Sequence, residues 1–548
     1  MEEVKENQRP DLISQAQRIA QEFEFPAEHV RRATTHFLKQ LNEGLERDGT
    51  SMCQIPSYVT KLPNGSEKGV CLAIDLGGTN LRVCSVELHG DSTYSLTQSK
   101  VTIPRPLMTA PTYKDLFGFI ALQTRRFMQE HHAPDLERWA ALPRDELRRR
   151  HAKSLGFTFS FTFDQHALDR GELLYWTKSF DIPDAVGRDP CAMLQEALDE
   201  QDLPLVVSAL ANDTVGTLAA RAYTAPGRSS TVVGAIFGTG TNGAYMERVS
   251  RIVKLRGRPE GLAGYEPDAV MALNTEWGGF DAGLEVLPTT RFDAELDRDS
   301  VNPDDQHFEK RISGMYLGEI LRRVLVHLLE ENRESFDMSV PETSLLYVPD
   351  GIDSSLLSAA VKDSSPDLEA ARGEMTRVLG VKNVSAKDAR AVRVLSEAIG
   401  RRAARLSSVA IAGVALQTGR LDSTTVAEIP LAARAYGLNI LAPVFYGLRS
   451  LWNVVARWLR VRVRVSIPAK SVAGLPSGRV EVDAEEGVVD IGVDGSLIEH
   501  FPNFEDHIRE ALREIPEIGE QGEKRIRIGM ASDGSGVGAA LIAWAART

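Results

Sequence analysis

Residues Val70–Glu87 read VCLAIDLGGTNLRVCSVE: an apolar run, a Gly-Gly turn and a second apolar run. The pattern predicts a strand, a tight turn and a strand. Gly77 and Gly78 let the backbone approach a ligand closely and turn its N–H groups outward, which suits the loop to cradling a phosphate. Asp75, Thr79 and Asn80 add oxygens for a Mg²⁺ shell or for hydrogen bonds. Glycine turns between strands are common, however, and a plain hairpin explains this stretch as well as a nucleotide grip does.

A second copy shifts that balance. Val232–Glu247 reads VVGAIFGTGTNGAYME, and placing Asn242 on Asn80 superposes Ala235 on Ala73, Ile236 on Ile74, Gly240 on Gly78 and Thr241 on Thr79. Two strand–turn–strand units with matching Gly-Thr-Asn tips suggest two lobes related by pseudo-symmetry, each offering a loop to one polyphosphate between them.

Size agrees, since 548 residues exceed what one core usually holds. The 43% hydrophobic and 25% charged content is that of an ordinary globular protein. A net charge of −13 argues against a nucleic-acid or anionic-membrane surface. Cys53, Cys71, Cys84 and Cys191 show no CxxC spacing, so they read as reduced thiols of a cytoplasmic protein, with neither a disulfide frame nor a zinc site. The N-terminus, MEEVKENQRPDLISQ, is polar and acidic and reads as no signal peptide.

Along the chain, Val30, Ala33, Phe37, Leu41 and Leu45 recur at helical spacing, so Pro26–Asp48 is expected to be an amphipathic helix. Thr112–Arg150 reads as mainly helical with breaks near Pro134 and Pro143, ending in Arg148, Arg149 and Arg150, which reads as a solvated face. Ser313–Leu329 and Asp388–Val414 are expected to be buried helices, and strands and helices alternate as in an α/β fold. Asp213 and Thr214 stand where the Asn212–Tyr223 helix begins. Asp213 is either the cap of that helix or a carboxylate projecting into a cleft from the end of a strand. The chain has no Gly-Lys dipeptide, hence no Walker A loop, and no HRD or DFG set. What remains is a phosphoryl-transfer site built on twin Gly-Thr hairpins.

AIDLGGTNLRV, followed in order by LGFTFSF, WTKSF, NDTVGT, FGTGTNGAY, NTEWGGF, FEKRISGMYLGE and DGSGVGAAL, resembles the hexokinase family from about Phe37 to Ala543. GTGTNGAYME, LPTTRFD and GEQGEKRIRIGMASDGSGVGAAL resemble its fungal glucokinase branch. The resemblance implies a two-lobed actin-like, ribonuclease-H-like α/β fold around a cleft. Residues 1–65 would form an N-terminal segment with a helix on the large lobe, 66–208 the small lobe, and 209–548 the large lobe with its C-terminal helix. It implies an ATP- and Mg²⁺-dependent hexose 6-kinase binding glucose, working as a monomer or homodimer. The alternative is a glucose sensor of the same fold that transfers phosphate poorly.

Residue by residue, the resemblance makes Asp213 the base and places Arg82 and Lys178 near the transferred group. Ser160, Phe161, Thr177, Lys178, Asn212, Asp213, Asn242, Glu276, Gln306 and Glu309 would ring the hexose. Asp75 would organise Mg²⁺ through water, with Gly77, Gly78, Thr79 and Asn80 under the phosphates. Thr239 and Gly240 would contribute from the second hairpin, and Gly534, Ser535 and Gly536 would form the adenosine site. Singly, Lys178 also reads as a surface lysine, Glu276 and Glu309 as helix carboxylates, and the Gly-Ser-Gly as a plain turn. Thr162, Ser179 and Asp304-Asp305 depart from the family's usual Pro, Gly and Gly-Gln, which bears on the loops around the sugar. The family pattern is interrupted at 422–486, where an apolar stretch, Ala435–Leu448, is too short for a bilayer, contains Pro443 and is flanked by Arg434 and Arg449. That segment reads as a surface excursion or as translated intron.

Overall fold

The computed structural model describes residues 11–140, 142, 153–177, 180–225, 231–258, 264–266, 268–421, 488–531 and 533–546. Lys178, Ser179, the Arg148–Arg150 cluster and the 422–486 interruption lie outside the described residues.

The strands are β1 (Ile55–Pro56), β2 (Lys68–Leu76), β3 (Asn80–His89), β4 (Tyr94–Thr102), β5 (Lys153–Phe159), β6 (Thr162–Ala167), β7 (Arg170–Tyr175), β8 (Leu205–Ala211), β9 (Thr231–Phe237), β10 (Thr241–Arg248), β11 (Val270–Asn274), β12 (Val489–Asp494) and β13 (Ile526–Met530). One sheet runs β4-β3-β2-β5-β8 and the other β1-β11-β10-β9-β12-β13, while β6 and β7 form a separate ribbon. In each large sheet an antiparallel meander, β2-β3-β4 or β9-β10-β11, is followed by two strands parallel to its first. The same path is traced twice, as the doubled motif predicts, with β1 added at one edge.

The two hairpins do not superpose residue for residue. The last laddered pair is Leu76–Leu81 in the first and Phe237–Thr241 in the second, so the first loop spans Gly77–Asn80 and the second only Gly238–Gly240. Thr79 therefore lies in its loop while Thr241 lies in its ladder. Sequence identity aligns the Gly-Thr-Asn letters, but strand register is set by the turn, and the first turn is one residue longer.

β2 is buried from Cys71 to Leu76, because helices cover both faces of a central strand that pairs with a parallel neighbour. The expected helices form. Ala27–Glu46 buries Val30, Ala33, Phe37, Leu41 and Leu45. Gly314–Asn332 and the 32-residue Ala386–Gln417 helix cross the core of the second sheet. A further helix, Leu12–Gln21, is capped by Asp11 and buries Leu12, Ala16 and Ile19. All four cysteines are free thiols, and Cys71, Cys84 and Cys191 are buried. Among the described residues, no helix is long and apolar enough to cross a membrane.

The doubled path ends twice in a helix: β8 leads into Asp213–Thr224 and β13 into Gly534–Ala545. These two helices pack on each other at glycines. A Cβ at Gly538 would lie 1.9 Å from the Gly216 carbonyl oxygen, and one at Gly156 of β5 would lie 2.1 Å from the Ala539 oxygen. Only backbones without side chains allow that approach, and it sets the two helix starts where the hairpin loops are.

Candidate functional site

At the first helix start, the side chain of Asn212 accepts hydrogen bonds from Thr214 N at 3.0 Å and Thr214 Oγ1 at 2.6 Å. Asn212 is thus the cap and Asp213 the first residue of the helix. Of the two readings of Asp213, the cap is taken by its neighbour. The carboxylate also sits where the helix dipole stabilises negative charge.

The second lobe contributes an interlocked polar cluster. Asn242 Nδ2 donates to Asn274 Oδ1 at 2.8 Å and to Glu276 Oε1 at 3.2 Å, and Asn274 Nδ2 donates to the same Glu276 oxygen at 2.6 Å. Glu276 holds a left-handed backbone, φ 52°, as does Gln306, φ 55°. Such strain in residues with side chains persists only where the surroundings enforce it, and it concentrates at functional sites. Trp277 supplies part of that enforcement. It is fully buried, stacks on Phe237 with ring centroids 6.0 Å apart, and donates from Nε1 to Thr241 Oγ1 at 3.0 Å. Gln306 reaches over Gly278, where a Cβ would stand 2.2 Å from its Oε1. Glu309 Oε1 accepts from Thr241 N at 3.2 Å, and a Cβ at Gly240 would lie 2.7 Å from that oxygen.

The Asp304-Asp305 departure pins the loop. Asp305 Oδ1 accepts from Gln306 N at 2.8 Å, and Asp304 N donates to Asp297 Oδ2 at 3.1 Å.

From the first lobe, Ser160 N donates to Leu76 O at 3.3 Å, and the Thr177 carbonyl accepts from Phe180 N at 3.1 Å. Phe161 packs edge-on to Trp176 and Phe180, with centroids 4.8 and 4.9 Å away. Phe161 and Thr162 share one small cavity with Asn212, Asn274 and Glu276. Residues from both halves of the chain therefore face a common space.

At the phosphate end, Gly77 N donates to Asn80 O at 3.1 Å, the Thr79 carbonyl accepts from Ile103 N at 2.9 Å, and Asn80 Oδ1 accepts from Thr102 Oγ1 at 3.4 Å. The Thr239 carbonyl accepts from Met315 N, tying the second loop to the Gly314–Asn332 helix. Asp75 is nearly buried. Ser535 Oγ donates to its Oδ2 at 2.8 Å, and Arg82, its cross-strand neighbour, stands 3.5 Å from the same oxygen and 3.7 Å from Asp533. Ser535 is thereby joined to the predicted Mg²⁺ residue. The room left by Gly534 and Gly536 is used by the protein: Cβ atoms there would stand 3.0 Å from Thr217 Cα and 3.3 Å from Cys84 Sγ.

Two residues escape sequence reasoning. Asn274 looks like the end of a strand, and only its side-chain hydrogen bonds show that it joins Asn242 to Glu276. Asp494 closes β12, and burial, then the nearby Asp533 charge, push its carboxyl up. Arg82 thus stands between the Asp75 and Asp533 carboxylates, and Asp494 feels the charges of both Asp533 and Arg82. Hard oxygen donors of this kind suit a hard divalent cation carried in with a polyphosphate.

Comparison with known proteins agrees with this geometry. Family models described as hexokinase match residues 15–223 and 232–545. The glucokinase of Aspergillus niger is 44% identical, with 97% of each chain covered. Glucokinase-1 of Saccharomyces cerevisiae is 35% identical, again over 97% of each chain. Among solved structures, a hexokinase from Schistosoma mansoni complexed with glucose superposes with a TM-score of 0.72 at 29% identity, covering 97% of this chain and 99% of that one.

Proposed function

The chain belongs to the hexokinase family, and from that premise we propose that it transfers the γ-phosphate of ATP to the 6-hydroxyl of glucose, giving hexose 6-phosphate and ADP. Mannose and fructose are further candidate acceptors, and the reaction is the first step of glycolysis. The observation that carries this reading is the cavity shared by Phe161, Asn212, Asn274 and Glu276, in which Asn212 immediately precedes Asp213. Convergent amide and carboxylate groups of this kind discriminate a polyol, because a wrong ligand leaves buried polar groups unpaired.

Ser160, Phe161, Thr177, Lys178, Asn212, Asn242, Glu276, Gln306 and Glu309 hold the sugar. Asp213 takes the proton of the 6-hydroxyl as that oxygen attacks the γ-phosphorus in line and the bond to the ADP oxygen breaks. Arg82 and Lys178 offset the charge on the moving group. ATP enters as its Mg²⁺ complex. Asp75, with Ser535 hydrogen-bonded to it, would hold the ion through water and the ion would neutralise phosphate charge, while Gly77, Gly78, Thr79, Asn80, Thr239 and Gly240 line the polyphosphate, with Gly534, Ser535 and Gly536 at the adenosine end. Closure of residues 66–208 onto 209–548 excludes the water that would compete for the phosphate. The cytoplasm is the compartment we assign, as monomer or homodimer.

The test is a coupled assay of the purified chain with glucose and Mg·ATP, alongside Asp213→Asn. The variant is expected to lose about 10²–10⁴-fold in kcat while still binding glucose by fluorescence or calorimetry. Undiminished turnover in Asp213→Asn, or no turnover by the native chain, overturns the assignment.

A further inference from the structure

A second group of chemistry-bearing side chains lies behind the loop that delivers Gln306. Asp297, Asp304 and His307 each present a ligand atom, and the three atoms all lie within 4.8 Å of one another. His307 is only 3% exposed, and its Nδ1 is buried without a hydrogen-bond partner while standing 3.5 Å from Asp297 Oδ1. A buried imidazole nitrogen without a hydrogen bond calls for an explanation, and a bound ion is one. Asn302, in the same loop, leaves its Oδ1 buried and unpartnered as well. Its carbonyl shares the Lys310 ammonium with Asp297 Oδ1, at 2.7 and 2.6 Å.

We propose that Asp297, Asp304 and His307 bind a borderline divalent transition metal, zinc-like or cobalt-like, on the loop that carries Gln306. The donor set of one imidazole nitrogen and two carboxylates selects such an ion over Mg²⁺ or Ca²⁺, which take oxygen shells. His307 Nδ1 and Asp297 Oδ1, 3.5 Å apart, are spaced as two ligands about 2 Å from zinc would be. Asp304 can follow the ion, because it lies on an exposed turn while the other two are held by helices. The Lys310 ammonium competes for Asp297, so the site has moderate affinity, and removing that charge strengthens it. Asp304 is one of the residues at which this chain departs from its family's usual Gly-Gln.

The experiment uses the full chain, stripped with chelator and titrated with Co²⁺ by absorption and with Zn²⁺ by calorimetry. Wild type is expected to take up one Co²⁺ with ligand-field bands and no thiolate charge-transfer band, which excludes a cysteine site. Asp304→Gly removes a ligand without disturbing the fold, because φ at this position is +61° and glycine adopts it freely. Asp304→Gly and His307→Gln should each weaken binding by about tenfold or more, whereas Lys310→Met should tighten it. Zn²⁺ should raise the thermal midpoint of wild type but not of the two weakened variants. No uptake by wild type, or undiminished uptake by either Asp304→Gly or His307→Gln, overturns the site.

Discussion

Asn274 makes no use of its chemistry except to hold two other residues. Its side chain accepts from Asn242 and donates to Glu276, and it is 5% exposed. Asn274→Ala leaves a carboxylate and an amide of the proposed sugar pocket short of partners, a loss worth about 1–3 kcal/mol where groups are buried. The expected result is a rise in the KM for glucose of about tenfold or more, with the KM for ATP unchanged; equal effects on both constants would mark general loosening instead of positioning. The candidate residues that the structure brings together are legible only as a set, because singly a glycine, aspartate or asparagine at a strand end has ordinary reasons to be there. The remainder is not, and the reasons are physical. Asn212 and Asp213 are both good caps, so only the fold decides which one accepts from Thr214. The role of Asn274 resides in contacts across strands, which no local pattern encodes.

Periodicity marks an element wherever burial dictates it, as in the helices around Phe37 and along Ala386–Gln417. The Leu12–Gln21 helix is hard to see in the sequence, since three buried apolar residues behind an Asp11 cap are a faint signal in a polar terminus. Less visible still is how helices are pinned together. Asp293 closes a capping box with Thr290 and also pairs with Arg402 of the long helix at 2.6 and 2.8 Å, both side chains being buried. Burial alone would raise the Asp293 carboxyl, but the Arg402 charge and hydrogen bonds hold it down at about 2, against 3.8 when unfolded. A depressed folded value means the stabilisation is complete above 3.8 and is lost as pH falls from there through about 2. Acid titration of thermal stability should therefore show a decline in that window which Asp293→Asn lacks, the variant being less stable at neutral pH. Between the twin helices, Gly538→Ala would drive a methyl group into the Gly216 carbonyl. Overpacking against backbone costs about 1–3 kcal/mol or more, and a lowered denaturation midpoint by circular dichroism would register it.

At the scale of the whole molecule, the doubled path explains why the chemistry gathers where it does: repeating one strand order brings two loops and two helix starts to a single cleft. The repeat was legible as a repeat, but the closing contacts were not. Arg258, in the chain that follows β10, donates to Asp164 Oδ1 at 2.9 Å and to the Gln165 carbonyl at 2.7 Å, and both acceptors belong to β6, which follows the central strands of the other sheet. A contact that forms only when the lobes close would put its free energy into the apparent affinity for sugar. Its worth is modest. Asp164 is 38% exposed and Arg258 17%, and solvent screens such pairs to about 0–1 kcal/mol. Arg258→Met should therefore raise the KM for glucose by no more than roughly fivefold, with kcat little changed. Electrostatics supplies the sharper control: added salt should weaken glucose binding by wild type through this pair, and the variant should lose that part of the salt dependence. Identical salt responses in the two proteins would show that the contact links the halves without contributing to closure.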